Sequence, residues 1–382
     1  MEKRRLGRRL AAGAMCIFLA FQGAALPVRA LSARAYALVE ETSGRVIASS
    51  NGDARLPMAS TTKIMTALLA VESGKLGETV TVPEEALAVE GSSMGLKAGE
   101  KLTVRDLAYG LLLESGNDAA NTIALALSGS IPAFAARMNE RAQALGLQNT
   151  HFCNPSGLDA AGHYTSAVDL ARLAAAAMQN PAFAQIAATR SIRIPYDGIA
   201  NGRLLVNHNR LLLSYAGAIG VKTGFTKKSG RCLVSCATRS GVTLVAVTLS
   251  DPNDWKDHEE LLNSGFARLK STPLLEAAPP LQARVEGGMA DTVRVACSGG
   301  LSAPLAAGEL ARVKLSVQLE RFYYAPVAQG QKLGQLVFTL DGVVLLRRDL
   351  IAAQSDPMPA RAKNQSFFTR FWRSFRLLLG WL

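Results

Sequence analysis

Apolar runs at Ala35 to Leu38 and Val46 to Ala48 flank Glu-Glu-Thr-Ser-Gly, a pattern that predicts a β-hairpin. Asn51-Gly52-Asp53 then makes a turn. Ser60 opens a predicted helix over Thr61 to Glu72, closed by Gly74. A second helix is expected from Val104 to Leu113, and further helices within Ala119 to Leu145 and from Ala167 to Met178. Ala218 to Thr223, Cys232 to Thr238 and Thr243 to Ser250 read as strands, followed by a closing helix from Trp255 to Leu269. Strands at both ends with helices between predict an α+β domain over residues 31–272.

The pattern changes at Ser271 to Pro280, where three prolines fall within ten residues, and a linker is expected there. Residues 281–355 then show short alternating runs with glycine-rich turns: Thr292 to Ala296, Ala311 to Leu319, Leu336 to Leu340 and Val343 to Arg348. These predict a separate small all-β domain. In residues 361–382 the period is helical again. Phe367, Phe368, Phe371, Trp372, Phe375, Leu378, Leu379 and Leu382 share one half of a helix, and Arg370, Arg373 and Arg376 share the other. Such a helix suits a membrane interface, or docks on the protein's own body.

Charge sharpens this division. The chain has 382 residues, room for two or three domains, and a formal net charge of +12. Residues 1–30 and 361–382 each contribute +5, leaving +2 for the body, which argues against a nucleic-acid-binding surface. Lys3, Arg4, Arg5, Arg8 and Arg9 precede an apolar stretch from Leu10 to Leu26, and Val28-Arg29-Ala30 supplies small residues. Residues 1–30 are therefore read as a secretory signal peptide cleaved before Leu31; left uncleaved, the same stretch is an N-terminal anchor.

Cys16 leaves with that segment, and Cys153, Cys232, Cys236 and Cys297 remain. Cys232 and Cys236 are four strand residues apart, ~13 Å, too far for a disulfide. No Cys-x-x-Cys spacing occurs, and the four histidines (151, 163, 208 and 258) show no metal-binding spacing. The thiols are expected to be buried and free and the histidines structural.

Three short motifs carry candidate chemistry. In Ser60-Thr61-Thr62-Lys63 the hydroxyl and the amine lie at i and i+3, on one helix face. A neutral amine there is able to accept the serine proton, and the helix start favours developing negative charge. Ser115-Gly116-Asn117 offers a hydroxyl and a carboxamide on a turn at a helix end. Lys222-Thr223-Gly224 places a point charge and a hydroxyl on a strand, with a glycine that lets another backbone approach. Ser49-Ser50-Asn51 also fits Ser-x-Asn but precedes Ser60 in a turn.

In this order the three motifs resemble the signature of the serine penicillin-recognising enzymes. Leu56-Pro57-Met58-Ala59-Ser60-Thr61-Thr62-Lys63-Ile64-Met65-Thr66 is similar to the nucleophile segment of low-molecular-weight D-alanyl-D-alanine carboxypeptidases. Asn149-Thr150-His151-Phe152, Asn154 to Asp159, Gly162 to Ser166 and Gly220 to Thr226 resemble further segments of that family. Ser156 stands where histidine is common, and His208 where other polar or basic residues occur. The resemblance spans about residues 31–270.

It implies a penicillin-binding/β-lactamase-like fold in which Ser60 forms the acyl-enzyme and Lys63 is the base. Ser115 and Asn117 would assist proton transfer and hold the peptide. Lys222 and Thr223 would bind a terminal carboxylate, and Gly224 and Phe225 belong to the substrate strand. Backbone N–H groups of Ser60 and Phe225 would form the oxyanion hole. The implied partners are peptidoglycan stem peptides, β-lactam antibiotics and, through the C-terminal helix, the outer face of the bacterial cytoplasmic membrane; no cofactor or metal is implied. A β-lactamase shares fold and motifs, with its deacylating glutamate in Glu-x-x-Leu-Asn. Glu259-Glu260-Leu261-Leu262-Asn263 matches that string but follows Lys222, which speaks for coincidence. A catalytically inert penicillin-sensing or wall-binding protein is the other alternative, disfavoured by the intact motifs.

Overall fold

The computed structural model describes residues 31–196, 202–277 and 279–357. The signal-peptide and amphipathic-tail expectations lie outside the described residues. The chain opens with strands β1 (Ala35–Glu40) and β2 (Val46–Ser50). A 3-10 turn, Ala59–Thr62, leads into α1 (Lys63–Glu72). A short pair of strands, β3 (Thr79–Thr81) and β4 (Lys101–Thr103), precedes α2 (Val104–Leu113). Then come α3 (Asn117–Ser128), α4 (Ile131–Ala144), α5 (Ala167–Met178) and α6 (Pro181–Ala188). Strands β5 (Ser191–Ile194) and β6 (Arg203–Val206) and the single turn α7 (Leu211–Ser214) lead to β7 (Ala218–Thr226), β8 (Gly230–Arg239), β9 (Val242–Leu249) and α8 (Asp254–Arg268).

The main sheet is antiparallel, in the order β2-β1-β9-β8-β7. The start of the chain thus pairs with its later part, Ala37 opposite Val247 and Leu38 opposite Ala246. Alternation sends Ala37, Val39, Val245 and Val247 into a core shared with α1, α2, α3 and α5, and Leu38, Leu244 and Ala246 into a second core under α8. Both faces are covered, so the central strands are mostly apolar, and the buried Ser235 and Thr248 bond His258. Cys232 and Cys236 are free and buried in β8, as expected, whereas Cys153 and Cys297 are free but half-buried. The Glu259–Asn263 string sits on α8, where Asn263 Oδ1 accepts from Tyr215 OH at 2.8 Å.

The segment read as a linker begins instead as strand β10 (Lys270–Pro273). Next come β11 (Leu281–Glu286), β12 (Thr292–Cys297), β13 (Ser302–Leu305), β14 (Val313–Leu319), β15 (Tyr323–Tyr324), β16 (Lys332–Leu340) and β17 (Val343–Ala352). β10 pairs with β13, and the others form a six-stranded sheet in the order β14-β16-β17-β12-β11-β15. The polar Lys-Ser-Thr-Pro composition of β10 signals a loop locally; a tertiary partner makes it a strand, with the proline at its last position. Arg45, between β1 and β2, bonds Glu309 at 2.7 Å and the Pro304 carbonyl at 3.0 Å.

Candidate active site

Ser60 lies in the 3-10 turn and not at the start of a regular α-helix; α1 begins only at Lys63. Ala59 just before it has φ of +48°, in the left-handed region that a side-chain-bearing residue rarely enters, at a cost of about 1–3 kcal/mol. The turn is held from outside. Gly157 (φ +90°) passes so close that a Cβ there would sit 1.9 Å from the Ala59 carbonyl oxygen. The spacing of hydroxyl and amine survives this tighter geometry: Lys63 Nζ is 2.9 Å from Ser60 Oγ.

Lys63 is fully buried. Its amine also reaches Asn117 Oδ1 at 2.6 Å and the Ser156 carbonyl. That carbonyl is presented by a turn in which Asn154 Oδ1 accepts the Ser156 and Gly157 N–H groups at 3.2 and 2.7 Å. His163 braces the same region: its Nδ1 accepts from the Cys153 N–H at 2.9 Å, so its Nε2 is left to donate to Thr62 Oγ1 at 2.8 Å. Burial pushes His163 down to about 4, so it stays neutral near pH 7. The segments Asn154 to Asp159 and Gly162 to Ser166 are thus the scaffold of the nucleophile turn.

Ser115 occupies the junction between α2 and α3 with φ of +62°, and Asn117 is the first residue of α3. Both are buried. The Asn117 carboxamide is engaged at both ends, with Oδ1 on Lys63 and Nδ2 donating to the Glu90 carbonyl at 2.6 Å. In this geometry it orients the amine and the Glu90 loop, and its second Nδ2 proton remains for another acceptor. The neighbouring Asp118 accepts from Met94 N–H and Leu96 N–H, each at 3.0 Å, and ties down the loop that follows.

β7 is an edge strand, so alternate N–H groups lack a partner in the sheet. Lys222 projects from it into the interior and is buried, its amine donating to the Thr223 carbonyl at 3.0 Å. A Cβ at Gly224 would stand 3.1 Å from the Ser60 nitrogen, so glycine there keeps that N–H open. Phe225 is 65% exposed at the rim.

Two amines in one interior cannot both hold protons cheaply. Burial first, then the charge of Lys222, keeps Lys63 well below the ordinary lysine range; Asp118 opposes this. Burial brings Lys222 down to about 7, against the opposing pull of Glu114.

A cleft of about 360 Å³ brings Ser60, Ser115, Thr223, Gly224 and Phe225 together. It also contains residues that the sequence did not single out as site residues. His208, read as structural, lines the cleft with its Nε2 3.4 Å from Glu114 Oε2. Arg231 and Asp254 pair at 2.8 Å, and the Arg210 and Arg231 guanidinium groups lie 6.0 and 5.9 Å from the Trp255 ring. These come from three separate segments, and no spacing announces them. Among the described residues no cluster of three metal-ligating side chains occurs.

Known proteins match both parts of the chain. The family profile for D-alanyl-D-alanine carboxypeptidase matches residues 22–253, and that for the penicillin-binding protein 5 C-terminal domain matches residues 271–357. D-alanyl-D-alanine carboxypeptidase DacF of Bacillus subtilis is 33% identical over 334 residues, 85% of this chain and 85% of that protein. D-alanyl-D-alanine carboxypeptidase DacC of Escherichia coli is 34% identical over 387 residues, covering 96% of this chain and 94% of its own. The crystal structure of penicillin binding protein 5 from Haemophilus influenzae superposes with a TM-score of 0.64 at 30% identity, over 86% of this chain and 98% of that one. With a buried amine on a serine hydroxyl, the Ser-x-Asn turn beside them and the Lys-Thr-Gly edge strand across the cleft, this chain belongs to the D-alanyl-D-alanine carboxypeptidase family of low-molecular-weight penicillin-binding proteins.

Proposed function

We propose that the cleft removes the terminal D-Ala from peptidoglycan stem pentapeptides through an acyl-enzyme on Ser60. The observation that carries this is the fully buried Lys63 amine 2.9 Å from Ser60 Oγ. A neutral amine there takes the hydroxyl proton as Oγ attacks the carbonyl carbon of the penultimate residue. The Ser60 and Phe225 N–H groups stabilise the oxyanion. Collapse breaks the amide; the departing D-Ala amine receives a proton relayed through Ser115. Water then cleaves the ester, returning its proton to Lys63 and restoring the Ser60 hydroxyl. Penicillin forms the same ester when its strained amide opens. Release of free D-Ala from a purified pentapeptide muropeptide tests the reading; stable penicillin labelling without any release identifies a sensor instead.

In this reading Lys222 and Thr223 hold the terminal carboxylate. An arriving carboxylate favours the protonated form of Lys222, and that charge disfavours a proton on Lys63. Lys222→Ala is expected to lower kcat/KM on peptides with a free terminus by about 10²-fold or more, the scale of a lost charge-assisted contact. On the carboxamide analogues the loss is much smaller. Equal losses on both substrates refute the clamp.

The enzyme is further proposed to be exported, cleaved before Leu31, and held at the outer face of the cytoplasmic membrane by residues 361–382. The basic, apolar-cored N-terminus and the tail support this, since the tail sets five basic residues and no acid beside Trp372 and four phenylalanines. Each arginine near an anionic leaflet is worth about 1 kcal/mol. Truncation after Pro359 is expected to abolish co-sedimentation with anionic vesicles and leave activity on small peptides unchanged. High salt weakens binding of the full chain without abolishing it. A truncated form that still pellets, or a full chain that stays in solution, makes the tail a docked structural helix.

A further inference from the structure

Two carboxylates meet at Ser32. Its N–H donates to Asp257 Oδ2 at 2.6 Å, and its hydroxyl lies 2.5 Å from Asp251 Oδ1 and 3.0 Å from Asp257 Oδ2. A hydroxyl donates one proton, so one of the two last contacts lacks one. Asp251 is fully buried, Asp257 is 6% exposed, and Asp251 Oδ2 has no hydrogen-bond partner. Among the described residues neither aspartate belongs to an ion pair. Arg231 binds Asp254 and the neutral His258 sits between Ser235 and Thr248, while Arg34 and Lys256, nearer in sequence, form no ion pair with either aspartate among the described residues. Burial and the charge of Asp257 push Asp251 up, against hydrogen bonds from Ser32, Thr248 and the Asn253 N–H, the last on Oδ1 at 3.1 Å. The start of α8 offsets part of the charge on Asp257, but no N–H reaches Asp251 Oδ2.

The corner therefore calls for a cation with several donors, and the chain carries the atom for it. The Leu31 side chain packs on the core that contains Leu261 and Leu262, which fixes residue 31 beside α8. Successive backbone nitrogens are at most ~3.7 Å apart, so the Leu31 nitrogen lies within about 6 Å of Asp257 Oδ2. In an unprocessed chain that nitrogen is a neutral amide with one proton. Cleavage before Leu31 turns it into an ammonium with three.

We propose that Asp251 and Asp257 form a binding site for the α-ammonium of Leu31, created when the signal peptide is removed. This rests on the export reading above. Ser32 Oγ also accepts from the Asn253 N–H at 3.2 Å, so the same corner secures the entry to α8, where Asp254 and Trp255 line the cleft. Removal of the signal thus completes the support of one cleft wall.

The test compares residues 31–382 released from a fusion with a free Leu31 amine against the same chain with Gly-Gly-Ser left ahead of Leu31. The free-amine form is expected to melt about 2–4 °C higher, the shift of a single ion pair in a domain of this size. The difference should vanish in the Asp251→Asn, Asp257→Asn double variant. Equal Tm values, or a difference that persists in the variant, overturn the proposal. Should the variant not fold, acylation of the terminal amine at pH 7 gives a second reading: about tenfold slower for Leu31 than for the extended chain supports the site, and equal rates refute it. The mass of the exported protein reads cleavage separately. A start at Leu31 supports the proposal, and any other start overturns it for the exported enzyme, whatever the fusion-released chain shows.

Discussion

Ser60→Ala is expected to abolish covalent penicillin labelling and to lower D-Ala release by four or more orders of magnitude, about the loss seen when a serine nucleophile is removed. The fold should persist. Ser60 Oγ receives one hydrogen bond from Lys63, whose amine keeps Asn117 and Ser156 as partners, so the change in stability is about 1 kcal/mol. Ala59 and Thr61 on either side are packed into the turn and are untouched. Mass spectrometry after incubation with penicillin, with thermal melting as a control, checks both parts. A labelled Ser60→Ala protein would place the nucleophile elsewhere.

Lys63→Arg is expected to lose acylation almost as completely. A guanidinium cannot give up its proton in water, so it cannot act as the base. Because the interior around Lys63 is closed, misfolding is a competing cause of inactivity, and a pH profile separates the two. Lys63 is held below the ordinary lysine range, and its free base is the reactive form. The rate of penicillin acylation by the wild-type enzyme should therefore rise with pH through the depressed value and fall away in acid. Lys222 is a cause of that depression, so Lys222→Ala must raise the proton affinity of Lys63 and move the acid limb to higher pH. Wild-type acylation by Lys63→Arg rules out Lys63 as the base, and an acid limb that stays in place when Lys222 is removed shows that burial alone depresses Lys63.

Sequence alone determined the hairpin β1–β2, the helices α1 to α5 and α8 and the strands β7 to β9 of the α+β part, but not the short β3, β4, β5, β6, α6 and α7. Hydrophobic periodicity records which faces must be buried, and α2 runs from Val104 to Leu113 as its pattern predicts. It also determined the family, since Ser60, Lys63, Ser115, Asn117, Lys222 and Thr223 stand in short motifs whose spacing is local. Tertiary structure decided what local patterns cannot hold. β10 reads as a linker because its strand character comes from pairing with β13, more than thirty residues away in sequence. The 3-10 turn at Ser60 depends on Gly157 pressing on Ala59, a contact between distant segments. His208, Arg231 and Trp255 reach the cleft only when α8 and the edge of the sheet close on it. The proton state of Lys63 was likewise invisible in the motif: its amine is a usable base because folding takes it out of water and sets it near a second buried amine, Lys222. Periodicity and motif spacing are written along the chain, whereas desolvation and cross-chain contact exist only once the chain has folded.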